Sequence, residues 1–221
     1  MLGGWGVPQF EINPYRRGLL ISAPPLSKIP KHIREFGFVP DFRSCLPGDL
    51  VLFRSSTFSL SSHFISSAQN QFANEHARWT HAAVFLYDDL VVEAVPWKGV
   101  RTRSLYKDIP RRIMRVRRDK ALSSIKRHRI ALRAQSMMGS RYSLKAALSI
   151  GWDSSRGILD GFGSPQIGRV IICSRVFHDA YAEIKNSPLE GCVLTDPITP
   201  AHLSATAGLE DIKIGWIRVP A

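Results

Sequence analysis

The sequence predicts an α+β fold, an antiparallel sheet packed against helices, and three observations predict it. Residues 81–87 and 90–95 are two β-rich runs around the polar pair Asp88 and Asp89, the pattern of a hairpin. Ser123 or Ser124 can cap a helix that runs to Met138, with Gly139 as its stop. A second helix opens at Cys173, because Val176, Phe177, Ala180, Tyr181 and Ile184 recur at helical spacing.

The elements follow in order. Residues 1–44 read as a proline-rich arm and 45–221 as one domain. Pro8, Pro14, Pro24, Pro25, Pro30 and Pro40 exclude a continuous helix in the arm, leaving room for a turn or two over 31–36. Pro47, Gly48 and Asp49 make a turn, and 50–53 follows as a buried strand. Between Ser55 and Asn74, serines interspersed with Phe58, Leu60, Phe64, Ile65 and Phe72 fit a helix preceded by a polar loop. After the hairpin, 112–117 mixes apolar and basic positions as a further strand. Residues 151–168 hold five glycines and no periodicity, which predicts a long loop. Gly161 and Gly163 lack the strand–turn–helix setting of a dinucleotide site, so a nucleotide fold is set aside.

Composition narrows the class. Hydrophobic residues at 44% and charged residues at 22% are those of a globular chain. No apolar run approaches the roughly 18 residues of a membrane span. The apolar stretch after Arg16 and Arg17 stops at Pro24, too soon for a secretion signal, so synthesis in the cytoplasm is expected. Cys45, Cys173 and Cys192 are three cysteines without metal spacing, which favours reduced thiols over a disulfide framework. The net charge of +12 is local. Between Lys98 and Arg133 stand 14 basic residues and two acids, Asp108 and Asp119, while the remainder is neutral. Such a stripe is either a solvated face or a contact for phosphate in lipid or nucleic acid.

The chemistry centres on Cys173. A thiol attacks a carbonyl as thiolate, and a helix N-terminus beside an imidazolium lowers its pKa. Free amides of the first helical turn can also form part of an oxyanion hole. Among seven histidines, His81 alone begins a strongly apolar strand. Glu93 is the acid embedded in the apolar strand that follows, where a carboxylate is costly unless paired. A two-residue turn at Asp88 and Asp89 would set Glu93 opposite Val84, away from His81. An odd loop or a bulge sets it opposite Ala83, diagonal to His81 on one face. The catalytic reading therefore requires the loop or the bulge. Glu93 as the ion-pair partner of a nearby arginine is the alternative.

At these positions the chain resembles a family. Residues 81–84, 92–94, Gly99 with Val100, and 173–177 leading to Ala180 and Tyr181 look like the bacterial permuted NlpC/P60 proteins, the YiiX-like group of papain-like amidases. Residues 47–53, 139–142 and 196–203 are similar to that group's pattern too. The likeness spans about 45–205 and leaves the arm aside. It implies a circularly permuted papain-like fold, with Cys173 as nucleophile, His81 as base and Glu93 as orienter, and with the histidine ahead of the cysteine in the chain. The family often has Ser-Glu after the nucleophile, where this chain has Ser174 and Arg175.

Trp79, Tyr142 and Ser174 are the candidate substrate-lining residues, with packing the competing role for the two aromatics. Cys45 lies in a turn and Cys192 opens no helix, so neither rivals Cys173. Asp49 is assigned to its turn. The resulting expectation is a cysteine hydrolase that forms an acyl-enzyme on a peptide-like substrate and requires no metal or organic cofactor. A lipid hydrolase or acyltransferase at an anionic membrane is the second reading. A basic nucleic-acid-binding module with an inert cysteine is the third.

Overall fold

The computed structural model describes residues 29–55, 69, 72–109, 111–140, 172–187, 189 and 198–218. Eight strands and five α-helices occur among them, in the order α1 Lys31–Arg34, β1 Phe38–Asp41, β2 Leu50–Ser55, α2 Asn74–Ala77, β3 His81–Tyr87, β4 Leu90–Val95, β5 Gly99–Ser104, β6 Arg112–Arg118, α3 Ser124–Ser136, α4 Cys173–Lys185, α5 Pro200–Ala205, β7 Glu210–Ile212 and β8 Gly215–Arg218. Short 3-10 turns occupy Phe42–Ser44 and Leu105–Asp108. The class is mixed α and β, with one large antiparallel sheet in the strand order β5-β4-β3-β2-β6-β7.

Strand alternation divides the core between the two faces of this sheet. Leu50, Leu52, Ala82, Val84, Val92 and Ala94 face α3 and α4 and join Ile130, Ala134, Val176, Phe177 and Ala180 in one buried cluster. Val51, Phe53, Ala83, Phe85 and Val91 face the other way and join Ile29, Ile33, Val39, Phe42, Leu105 and Tyr106. From residue 29 onward the proline-rich arm is thus part of the core. Its strand β1 pairs with β8, Phe38 opposite Arg218 and Asp41 opposite Gly215.

The strand at 50–53 extends to Ser55, and the hairpin strands end where the sequence places them. Ser123 caps α3 by accepting from the Lys126 amide at 3.3 Å. Beyond α3, Gly139 takes φ +81 and its amide donates to Val100 O at 3.1 Å, which ties the end of the helix to the start of β5. Strands β1, β5, β7 and β8 are additions to the sequence reading. Most of the helix expected over 55–74, the loop at 151–168, Tyr142 and Cys192 lie outside the described residues. No described helix is long and apolar enough to cross a membrane.

The turn before β2 has a strict steric requirement. Gly48 has φ +84, and a Cβ there would stand 2.6 Å from Arg127 O of α3. Asp49 secures the same turn by accepting from the Leu46 amide at 2.8 Å. Gly48→Ala is expected to lower stability by about 1–3 kcal/mol, combining the positive φ with the backbone clash. The measurement is the urea midpoint, and an unchanged midpoint would contradict the close approach.

Candidate active site

The hairpin turn spans two residues, yet Glu93 does not face Val84. Tyr87 pairs with Leu90 across Asp88 and Asp89, whereas Phe85 pairs with Val91, so Leu86 is an extra residue in β3. This β-bulge shifts the register by one, sets Ala83 opposite Glu93, and brings His81 and Glu93 onto one face. His81 Nε2 donates to Glu93 Oε2 at 2.8 Å. Nδ1 is the ring nitrogen that remains for a second partner.

That partner is Cys173. The thiol hydrogen-bonds His81 and receives the backbone amides of Ala82 and Ser174. Cys173 is the first residue of α4, and Ile172 before it offers no capping side chain. Amides of the first turn are therefore left to face the sulfur. Helix α4 packs along β3, which places its N-terminus at the start of that strand. Three segments far apart in the chain converge here.

The electrostatics are those of a thiolate–imidazolium pair. Burial opposes the Cys173 thiolate, but the His81 charge and hydrogen bond, followed by the two amides, bring its pKa below the usual thiol range. Burial likewise opposes the His81 cation, while Cys173 and then Glu93 raise its pKa to about 9. Glu93 is 1% exposed; against the effect of burial, the His81 hydrogen bond and charge, and then Arg103, hold its pKa at about 2. Cys45 is the opposite case, since burial, with Asp49 nearby, pushes its thiol pKa well above the ordinary value.

Arginines complete the surroundings of Glu93. Arg101, directly opposite on β5, donates to Oε1 from Nη2 at 3.1 Å and Nε at 3.3 Å. Arg103 Nη2 donates to Oε2 at 2.6 Å, and its Nη1 donates to Asp108. The histidine contact and the arginine contacts, alternatives in the sequence, coexist on one carboxylate. Sequence reasoning missed Arg101, Arg103 and Asp108 as neighbours of the site. The signal was the alternation of basic residues along 99–104, which places Arg101 and Arg103 on one face.

Other candidates divide by environment. Trp79 is 3% exposed, belongs to the helix-facing core, and carries Arg78 over its ring at 5.5 Å, which is the packing role. The Ser174 hydroxyl is fully buried and donates to Ile198 O, so Ser174 meets the thiol through its amide. Tyr142 lies outside the described residues. Among the described residues no group of three His, Cys, Asp or Glu side chains converges to hold a metal.

Part of the basic stripe is paired within the fold. Besides Arg101 and Arg103, Arg112 meets Asp108, Arg115 and Arg117 share Asp211, Arg118 forks onto Asp49, Lys120 meets Glu210 and Arg133 meets Glu183. Arg117 is 7% exposed and also donates to the carbonyls of Leu203, Ser204, Thr206 and Leu209, gathering the end of α5.

At neutral pH, iodoacetamide is expected to label Cys173 at least about tenfold faster than Cys45, because labelling follows the thiolate fraction. Mass-spectrometric mapping of the labelled peptides checks this, and equal rates would remove Cys173 as nucleophile.

No protein-family model and no curated protein matches this chain.

Proposed function

We propose that this protein is a cysteine hydrolase of the permuted papain-like, NlpC/P60 type, an amidase or peptidase that forms an acyl-enzyme on Cys173. The observation that carries the reading is the contact of the Cys173 thiol with a histidine whose other nitrogen is held by a buried carboxylate. The order His81, Glu93, Cys173 along the chain agrees with the family resemblance.

In this mechanism the thiolate attacks the substrate carbonyl carbon, and the negative charge moves to the oxygen. The free amides expected at the start of α4 support that oxyanion in this reading. Collapse of the intermediate breaks the carbon–nitrogen bond, and the imidazolium of His81 gives its proton to the departing amine. Water or another acceptor then attacks the thioester, losing its proton to His81, and the thiolate is restored. Glu93 fixes the tautomer and orientation of His81 throughout.

A specific observation supports acyl lipids as the second substrate class. β3 starts, β4 ends and β5 starts at one end of the sheet, and Gly139 is tied to Val100 there. Trp97, 87% exposed in the turn between β4 and β5, and Met138, 45% exposed next to Gly139, offer apolar surface at this end. Anionic liposomes, neutral liposomes and duplex DNA separate the readings by co-sedimentation. Salt-sensitive binding to anionic liposomes alone favours lipid substrates, tight DNA binding favours the nucleic-acid module, and absence of binding favours the amidase.

Cys173→Ala is expected to abolish turnover of acyl-amide probes while preserving the melting temperature within a few degrees. Glu93→Gln is expected to lower turnover less than His81→Ala, because an amide can still accept from the ring. Turnover retained in Cys173→Ala would overturn the reading. The pH profile has a sign fixed by the raised His81 pKa. Activity holds from neutral pH upward and falls as pH rises through about 9, where the imidazolium that protonates the leaving group is lost.

A further inference from the structure

Glu93 Oε2 serves two donors at once, His81 Nε2 at 2.8 Å and Arg103 Nη2 at 2.6 Å. The other arm of the Arg103 fork is committed to Asp108, which is 5% exposed in the turn after β5. Phe53 of β2 provides the wall behind them. Its ring lies 5.7 Å from that of His81 and 5.6 Å from the Arg103 guanidinium carbon. The charged groups linked to His81 are Cys173 from α4 and Glu93 from β4, then Arg101 and Arg103 of β5 on Glu93, Asp108 behind Arg103, and Arg112 of β6 at 3.5 Å from Asp108, while β2 presents the apolar Phe53 opposite His81.

We propose that Arg103, anchored by Asp108, is a positioning residue that shares Glu93 Oε2 with His81 and so sets how strongly the carboxylate grips the imidazolium. The proposal rests on the assignment of Cys173 and His81 above and extends it to groups that touch neither the thiol nor a substrate.

The physical argument is competition for one oxygen. A carboxylate oxygen that accepts a charge-assisted bond from a guanidinium has less electron density to offer a second donor. The planar fork of Arg103, fixed at both arms, also prevents that oxygen from following the ring if His81 rotates. Asp108, Arg103, Glu93 and His81 form a chain of alternating sign. Removing a charge at Arg103 or at Asp108 therefore acts on His81 in opposite directions. Arg101 takes the other oxygen, and its side chain is 36% exposed, so solvent screens its influence more.

The test is the titration of the His81 ring, followed by NMR in the full chain. Arg103→Met is expected to move the midpoint up by about half a pH unit or more, and Asp108→Asn to move it down by a similar amount. Arg103→Lys, which keeps the charge, returns most of the way to the wild-type value, and Arg101→Met moves it less than Arg103→Met. Shifts of one sign in both variants, or unmoved midpoints accompanied only by lower melting temperatures, overturn the proposal and leave Arg103 a structural residue. Should Arg103→Met fail to fold, a downward shift in Asp108→Asn with a near wild-type midpoint in Arg103→Lys carries the same test, and an upward or absent shift in Asp108→Asn overturns the proposal. Failure of the nucleophile assignment is distinguishable, since it appears as slow alkylation of Cys173 in the wild type, whereas failure here appears in the His81 midpoint of the variants.

Discussion

Burial of the Glu93 carboxylate is the constraint around which the site is built. An ionised carboxylate taken from water is tolerated only with enough donors to replace hydration. Glu93 has them in His81, Arg101 and Arg103, drawn from the strands on either side of it. The arrangement exists because Leu86 bulges out of β3 and turns Glu93 toward the face that carries His81. Without that one-residue shift the carboxylate would point into the apolar layer beneath α3 and α4, where Val84 and Val92 pack. A local irregularity in a strand thus governs both the solvation of an acid and the orientation of an imidazole.

Much of the candidate site was legible in the sequence because its determinants are local. The hairpin strands, the helix opening at Cys173 and the stop at Gly139 each follow from patterns a few residues long. Even the bulge was deducible as a condition, since parity alone decides whether Glu93 can face His81. What escaped was long-range. Arg103 reads as part of a basic stripe until the turn after β5 brings Asp108 against it. The structure of β5, and the ties from β6 to residues 203–211, depend on partners that no spacing rule reveals.

The basic stripe illustrates the difference between charge counted along a chain and charge presented by a fold. Asp211 is shared by Arg115 and Arg117 and offsets one of their two charges, Asp49 pairs with Arg118, and Glu183 reaches Arg133 from the neighbouring helix. Part of the positive charge concentrated in one segment is thus balanced by acids from elements before and after it. Several of these arginines hold secondary-structure ends together, and Arg117, with the C-terminal carbonyls of α5 around it, is the clearest instance. At such a position lysine is a poor substitute, because a point charge lacks the fork that reaches several carbonyls.

The pairing of β1 with β8 has a consequence for how the chain acquires its structure. These strands are separated by nearly the whole described chain, yet they cover the same side of the large sheet, and Ser44 reaches across to Lys213 O at 3.3 Å. Closing so long a loop is entropically expensive and is repaid only when the intervening sheet already holds the two ends near each other. During synthesis, Val39 and Phe42 leave the ribosome well before the strand that completes their cover. Until β8 arrives, β1 keeps an unpaired edge beside the apolar underside of the sheet, and an open strand edge is a point at which the nascent protein can aggregate.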